Sequence, residues 1–203
     1  PTTFLLGMSV LHDREKRQVV LSQVAYTRKL LAAFGIDGNA RSATTLLPPD
    51  PVFKKFEGTA SPEGSYRMMV LCGGLQWLQT CTRPDIAFAT NMLARYASNP
   101  SPEHIAYGNR VLRYLSGTVE MGITYHGSDE VLKSGGYDIT NKIVGTVDSD
   151  LGGCKDTEKS TSGLILMLNG GPVIWRSTRQ STVSTGTAEA ECKAARFAGQ
   201  QLI

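Results

Sequence analysis

At 203 residues, 41% apolar and 19% charged, the chain has the length and composition of one or two cored globular domains and lacks the signature of disorder. Its formal net charge of +3 and isoelectric point near 8.7 are mildly basic, which permits a nucleic-acid partner without demanding one. No apolar run is long enough to cross a bilayer. Cys72, Cys81, Cys154 and Cys192 show neither C-x-x-C pairing nor a His at zinc-ligand spacing, so free thiols of a reducing compartment are expected.

The opening alternates as a hairpin does: "TFLLGMSVL", a charged turn "HDREKR", then "QVVLS". Ser22 is placed to cap a helix striped by Tyr26, Leu30, Leu31 and Phe34, with Gly35 as its stop. Residues 37–62 are rich in Pro, Gly, Thr and Ser and read as an extended linker, the best boundary in the first half. Three helical patterns follow. The first covers about Pro62 to Gln79; its adjacent Gly73 and Gly74 cost helix stability but allow a close approach. The second begins near Thr82, where "TRPD" supplies an N-cap and a first-turn proline, and is striped by Ile86, Ala89, Leu93 and Tyr96. The third begins at Ser101-Pro102, carries Ile105, Gly108, Leu112 and Leu115, and ends at Gly117. Arg95, Arg110 and Arg113 point elsewhere on these helices; a solvated face is the plain reading and phosphate contact the functional one.

From Ile123 the period changes to two. "GITYHG" reads as a short strand and "KSGGYDITN" as a loop or edge hairpin. "KIVGTVDSD", "SGLILMLN" and "GPVIWRST" read as three successive strands, the last two joined by "NGG", whose residues tolerate the positive φ of a tight turn. A helix begins near Thr187. Three antiparallel strands followed by one helix imply an α+β domain.

Asp148 and Asp150 close the first of these strands. Alone, the pair reads as turn residues. In the last helix the apolar stripe is taken through Ala188, Glu191, Cys192, Ala195, Ala198 and Leu202, with Glu189 and Lys193 an i,i+4 pair on the polar face. Glu191 is then an inward carboxylate, expensive unless paired or bound to a cation. A strand-end Asp and an inward Glu have the oxygen donors that Mg²⁺ takes. His12, His104 and His126 have no partners that suggest nucleophilic catalysis and are expected at the surface. Trp77, Trp175, Tyr107 and Tyr114 are expected in core or half-core positions. The run "WRSTRQSTVSTG" (175–186) is basic, acid-free and rich in hydroxyls.

At this point a family resemblance emerges. The stretch 66–118 with its "TRPDIAFA" and "RVLRYLSGT", the run 159–195 with "KSTSG" and "TAEAE", and the opening "FLLGMSV…VVLSQVAYTRKLLAAFGI" resemble the polyproteins of copia-type LTR retrotransposons over nearly the whole chain. The resemblance implies a reverse-transcriptase palm tail and linker in 1–60, a helical thumb and connection region in 61–120, and the N-terminal part of an RNase H-like domain in 121–203. It implies hydrolysis of the RNA strand of RNA–DNA hybrids, with four carboxylates holding two Mg²⁺ ions. Asp148 matches the first-strand Asp, Glu191 the helical Glu, and Asp150 a less critical second Asp. In that context Arg176 and Arg179, with Arg110 and Arg113, are candidate contacts to nucleic acid.

This sequence departs from the family pattern at Leu151, which stands for a Trp, and at His104-Ile105 and Asn109-Arg110. The family's third catalytic Asp lies on the strand after the last helix and its polymerase aspartates lie before Pro1. Both ends therefore read as cuts in something longer, and little or no nuclease activity is expected of these residues alone. Without a fourth strand, the strand carrying Asp148 is expected to keep an open edge suited to self-association. The resemblance places the parent inside the cell, in a cytoplasmic retroelement particle or the nucleus.

Overall fold

A computed structural model of the chain describes residues 3–36, 41–127, 133–134 and 137–201. Strands β1 (Thr3–Leu5), β2 (Met8–Asp13), β3 (Gln18–Ser22) and β4 (Ile123–His126) form a sheet in that order. The opening run is thus two strands. Leu6 and Gly7 turn the chain at φ 49° and 77°, and Met8 pairs with Leu5. A two-residue turn with both central φ values positive matches strand twist, which is why "LLGM" breaks what alternation alone reads as continuous.

Two compact units emerge. One comprises Thr3–Val10 and Leu21–Gly122. Its helices are α1 (Val24–Ala33), α2 (Pro62–Cys81), α3 (Ala87–Ala94) and α4 (Pro102–Gly117), with a short 3₁₀ turn at Pro84–Ile86. Leu75, Leu78, Ile86, Leu93, Val111, Leu112 and Leu115 are wholly buried in their common core. Ser61 caps α2 by accepting from the Gly64 amide at 3.0 Å, with Pro62 in the first turn. The glycine pair of α2 divides in role. A Cβ on Gly74 would lie 2.6 Å from Leu30 Cδ1, so α1 seats there, whereas Gly73 faces open space.

The proline-rich segment has no helix or strand among its described residues, as its composition predicts, but it is packed down. Phe53 is 3% exposed and packs against both Tyr96 and His104, whose rings stack on each other at 4.4 Å. Asn99 Oδ1 accepts from the Ala60 amide at 2.8 Å.

Several local expectations are corrected here. Gln23, not Ser22, precedes α1, and it offers no side-chain cap. Thr82 ends α2 and donates its hydroxyl to Gln23 Oε1 at 2.8 Å. His104 is buried: it completes a capping box with Ser101, its Nδ1 facing the Ser101 amide at 3.0 Å. His104 takes the inward place assigned to Ile105, which is exposed. Trp77 is 41% exposed rather than in the core.

The other unit comprises Leu11–Val20 and the chain from Ile123. Here β5 (Lys133–Ser134) and β6 (Tyr137–Asp138) make the expected edge hairpin. The main sheet is antiparallel in the order β7 (Ile143–Ser149), β8 (Thr161–Leu168), β9 (Gly171–Arg179), followed by α5 (Thr187–Gln200). Asn169 and Gly170 turn β8 into β9 at φ 48° and 82°, as the "NGG" signal requires. Mixed helix and antiparallel sheet is the α+β class read from the sequence. All four cysteines are free thiols, and no helix among the described residues is long and apolar enough to cross a membrane.

Candidate carboxylate site

The register of the sheet decides where each candidate points. Val147 pairs with Leu164, and both pack with Leu166, Phe197 and Ala198 under α5. Strand alternation then puts Asp148, opposite Gly163, on the other face of β7, where it is exposed. Among the described residues its carboxylate makes no hydrogen bond or ion pair.

Asp150 behaves differently. Its amide donates to Thr161 O at 3.1 Å and its carboxylate accepts from the Thr161 amide, closing the turn after β7. Gly152 beside it adopts φ 61°. This is the turn role open to an Asp before glycines.

Glu191 lies on α5, and its predicted orientation is corrected. The buried stripe of α5 is Ala190, Ala194 and Ala198, with Phe197 half-buried. Ala188, Glu191, Cys192 and Ala195 lie outside that stripe, and Glu191 is exposed. The i,i+4 alanines are the available signal; small side chains let the helix sit close on the sheet. Glu191 therefore needs no cation to offset burial, and like Asp148 it makes no hydrogen bond or ion pair among the described residues. No group of three or more His, Cys, Asp or Glu side chains gathers to hold a metal among those residues.

The neighbouring Glu189 is engaged as the i,i+4 reading expects. Lys193 Nζ lies 2.8 Å from its carboxylate, and the Thr185 amide and hydroxyl each donate to it at 2.8 Å. The Lys193 ammonium first, then the two Thr185 donors, hold its carboxyl down to about 2.

Sequence reasoning misses the polar knot that fixes α5 to the sheet. Gln180 is 9% exposed; its Nε2 donates to Ser162 Oγ at 3.0 Å and Ala190 O at 2.9 Å, and its Oε1 accepts from Ser184 at 2.9 Å. Ser160, Thr161 and Ser162 of the "KSTSG" run are buried around it. No periodicity signals such a knot, because it joins residues distant in sequence.

Of the candidate arginines, Arg176 sits within β9 and Arg179 is its last residue; both are exposed, and the basic run 175–186 is strand up to Arg179. Arg179 Nη1 approaches Cys154 Sγ at 3.8 Å. Arg110 is half-buried, donating to Thr45 O at 3.1 Å and to Thr45 Oγ1 at 2.6 Å, so it holds the proline-rich strap. Arg113 is exposed on α4.

Comparison with known proteins bears on what these residues belong to. The chain is 32% identical, over its whole length, to the retrovirus-related Pol polyprotein from transposon TNT 1-94 of Nicotiana tabacum, of which it spans 15%. It is 37% identical over 84% of its length to the corresponding polyprotein from transposon RE1 of Arabidopsis thaliana, spanning 11% of that protein. It is also 39% identical, over 64% of its length, to secreted RxLR effector protein 161 of Plasmopara viticola, covering 85% of it. No family model matches, and no solved structure matches.

Proposed function

The chain belongs to the copia-type Pol polyproteins of LTR retrotransposons, and on that premise we propose that it is the part of such a polyprotein in which a reverse-transcriptase thumb and connection region runs into a ribonuclease H domain. One observation carries this reading. The whole-length match to Pol polyproteins coincides with a helical unit followed by an antiparallel three-stranded sheet and a helix, with solvent-open Asp148 on the first strand and Glu191 on the helix. The parent activity is hydrolysis of RNA in RNA–DNA hybrids.

The donor set agrees with Mg²⁺ in type but neither in number nor in placement, since Asp148 projects from the face of β7 opposite α5, the helix that carries Glu191. Among the described residues Asp148 and Glu191 are unpartnered carboxylates, the hard oxygen donors that this ion prefers, whereas Asp150 is held by the Thr161 amide. Two carboxylates do not hold the two ions of a two-metal hydrolysis. No catalytic step follows from these residues alone, and the 203-residue polypeptide is an inactive piece of the parent site.

The test is direct. Purified free of host nucleases and given Mg²⁺ and a hybrid substrate, the wild-type chain is expected to cleave no more than its Asp148→Asn variant. Cleavage that disappears in that variant would overturn the inactivity. Cleavage that a longer polyprotein segment performs regardless of Asp148 would overturn the assignment of the site.

A further inference from the structure

A cleft of about 450 Å³ opens between the end of β9, the loop after it and the outer flank of α5. Its volume falls in the range of small-ligand sites, but its lining is unlike theirs. Arg179, Lys193 and Arg196 bring three cations to it, and Thr178, Ser181 and Thr182 bring three hydroxyls; no acidic residue lines it among the described residues. Lys193 is neutralised by Glu189 and steadied by Val183 O and Ser184 Oγ, each at 3.1 Å. Arg196 makes no hydrogen bond or ion pair among the described residues, and neither do the three hydroxyls. Among the described residues Arg179 makes only the long contact to Cys154 Sγ, which leaves most of its guanidinium donors unused there. Two guanidinium groups with spare donors, beside free hydroxyls and no carboxylate, are complementary to a phosphate group.

The sheet register separates this cleft from the carboxylates. Ser162 and Thr178 line it, are cross-strand partners, and share the helix-side face with Leu164 and Leu166. Asp148 projects from the opposite face. A ligand here is therefore held independently of any metal at Asp148.

We infer that this cleft binds backbone phosphates of a nucleic acid, through Arg179 and Arg196 with the hydroxyls of Thr178, Ser181 and Thr182. The choice of a polynucleotide over a free phosphorylated molecule rests on the retroelement reading above. Such contacts position a strand without reading its sequence.

Fluorescence anisotropy of a short labelled RNA–DNA hybrid with the full 203-residue chain, over a salt series, tests the proposal. Binding of wild type is expected to weaken linearly in log K against log salt. Replacing both arginines (Arg179→Ala with Arg196→Ala) should weaken it roughly tenfold and flatten the slope by about two, near one for each phosphate no longer neutralised. The lysine pair Arg179→Lys with Arg196→Lys should keep most of the slope. Both arginines are exposed, so thermal midpoints should hold; if the Arg179 variant fails to fold, Arg196→Ala alone should flatten the slope by about one. A slope and affinity that survive removal of both arginines overturn the proposal. Displacement of the hybrid by millimolar inorganic phosphate, at constant ionic strength, makes the cleft a small-anion site and overturns it too. Because cleavage depends on Asp148 and binding on the arginines, either reading can fail while the other stands.

Discussion

Arg83 is 1% exposed, and a buried charge survives only if its donors are answered. Its Nε and Nη2 reach Asp85 at 3.0 and 2.7 Å, while Nη1 and Nη2 donate to Thr118 O and Oγ1 at 2.9 and 2.7 Å. Tyr114 donates to the same Asp85 carboxylate at 3.0 Å, and its ring centroid lies 5.7 Å from the guanidinium carbon. The "TRPD" run, legible in sequence as a helix start, is thus also a clasp joining the ends of α2 and α4. Arg83→Ala is expected to destabilise by about 3–5 kcal/mol, since it leaves Asp85 and Thr118 without their partner. Urea unfolding measures this; a change below about 1 kcal/mol, the value of an exposed pair, would show that the clasp contributes little.

At the scale of elements, the first turn of α5 is set by Glu189. Gly186 precedes the helix and has no side chain to cap it, so the Thr185 amide is satisfied by Glu189 instead. A carboxyl depressed from its ordinary 4.5 to about 2 stabilises the folded form above its unfolded value, and that contribution fades as pH falls toward 2. NMR titration is expected to show Glu189 still ionised at pH ~3, with exchange of the Thr185 amide accelerating only in more acidic solution. A carboxyl midpoint near 4.5 would mean that Lys193 and Thr185 do not hold it. The face of this same helix is misjudged from sequence alone, because Ala188 and Ala195 are as apolar as Ala190 and Ala194. Which alanines turn inward depends on where the sheet lies.

At the scale of the molecule, β7 is the first strand of its sheet and pairs only with β8 among the described residues. Its ladder is open along Ile143–Ser149, and Ile143 itself is 59% exposed. An open apolar edge is a template for another strand. We propose that the 203-residue chain self-associates through β7, and that Ile143→Lys, placing a charge on the edge, shifts it toward monomer. Sedimentation over a concentration series checks this; a wild-type monomer at high concentration would sink the proposal.

What the sequence determined by itself was whatever depends on local chemistry or on a pattern shared over many residues. The "NGG" turn, the start of α4 at Ser101-Pro102, the Glu189–Lys193 pair, the α+β order and the family are of this kind, since backbone conformation and i,i+4 neighbours are properties of short segments. Direction and partnership came from the packing of distant segments. The face of β7 that bears Asp148, the outward turn of Glu191, the capture of Asp150 by Thr161, the burial of His104 and the Gln180 knot were settled by neighbours beyond the reach of any local pattern. The cleft between Arg179 and Arg196 has the same origin: the two are brought together because α5 folds back over the sheet on its alanines.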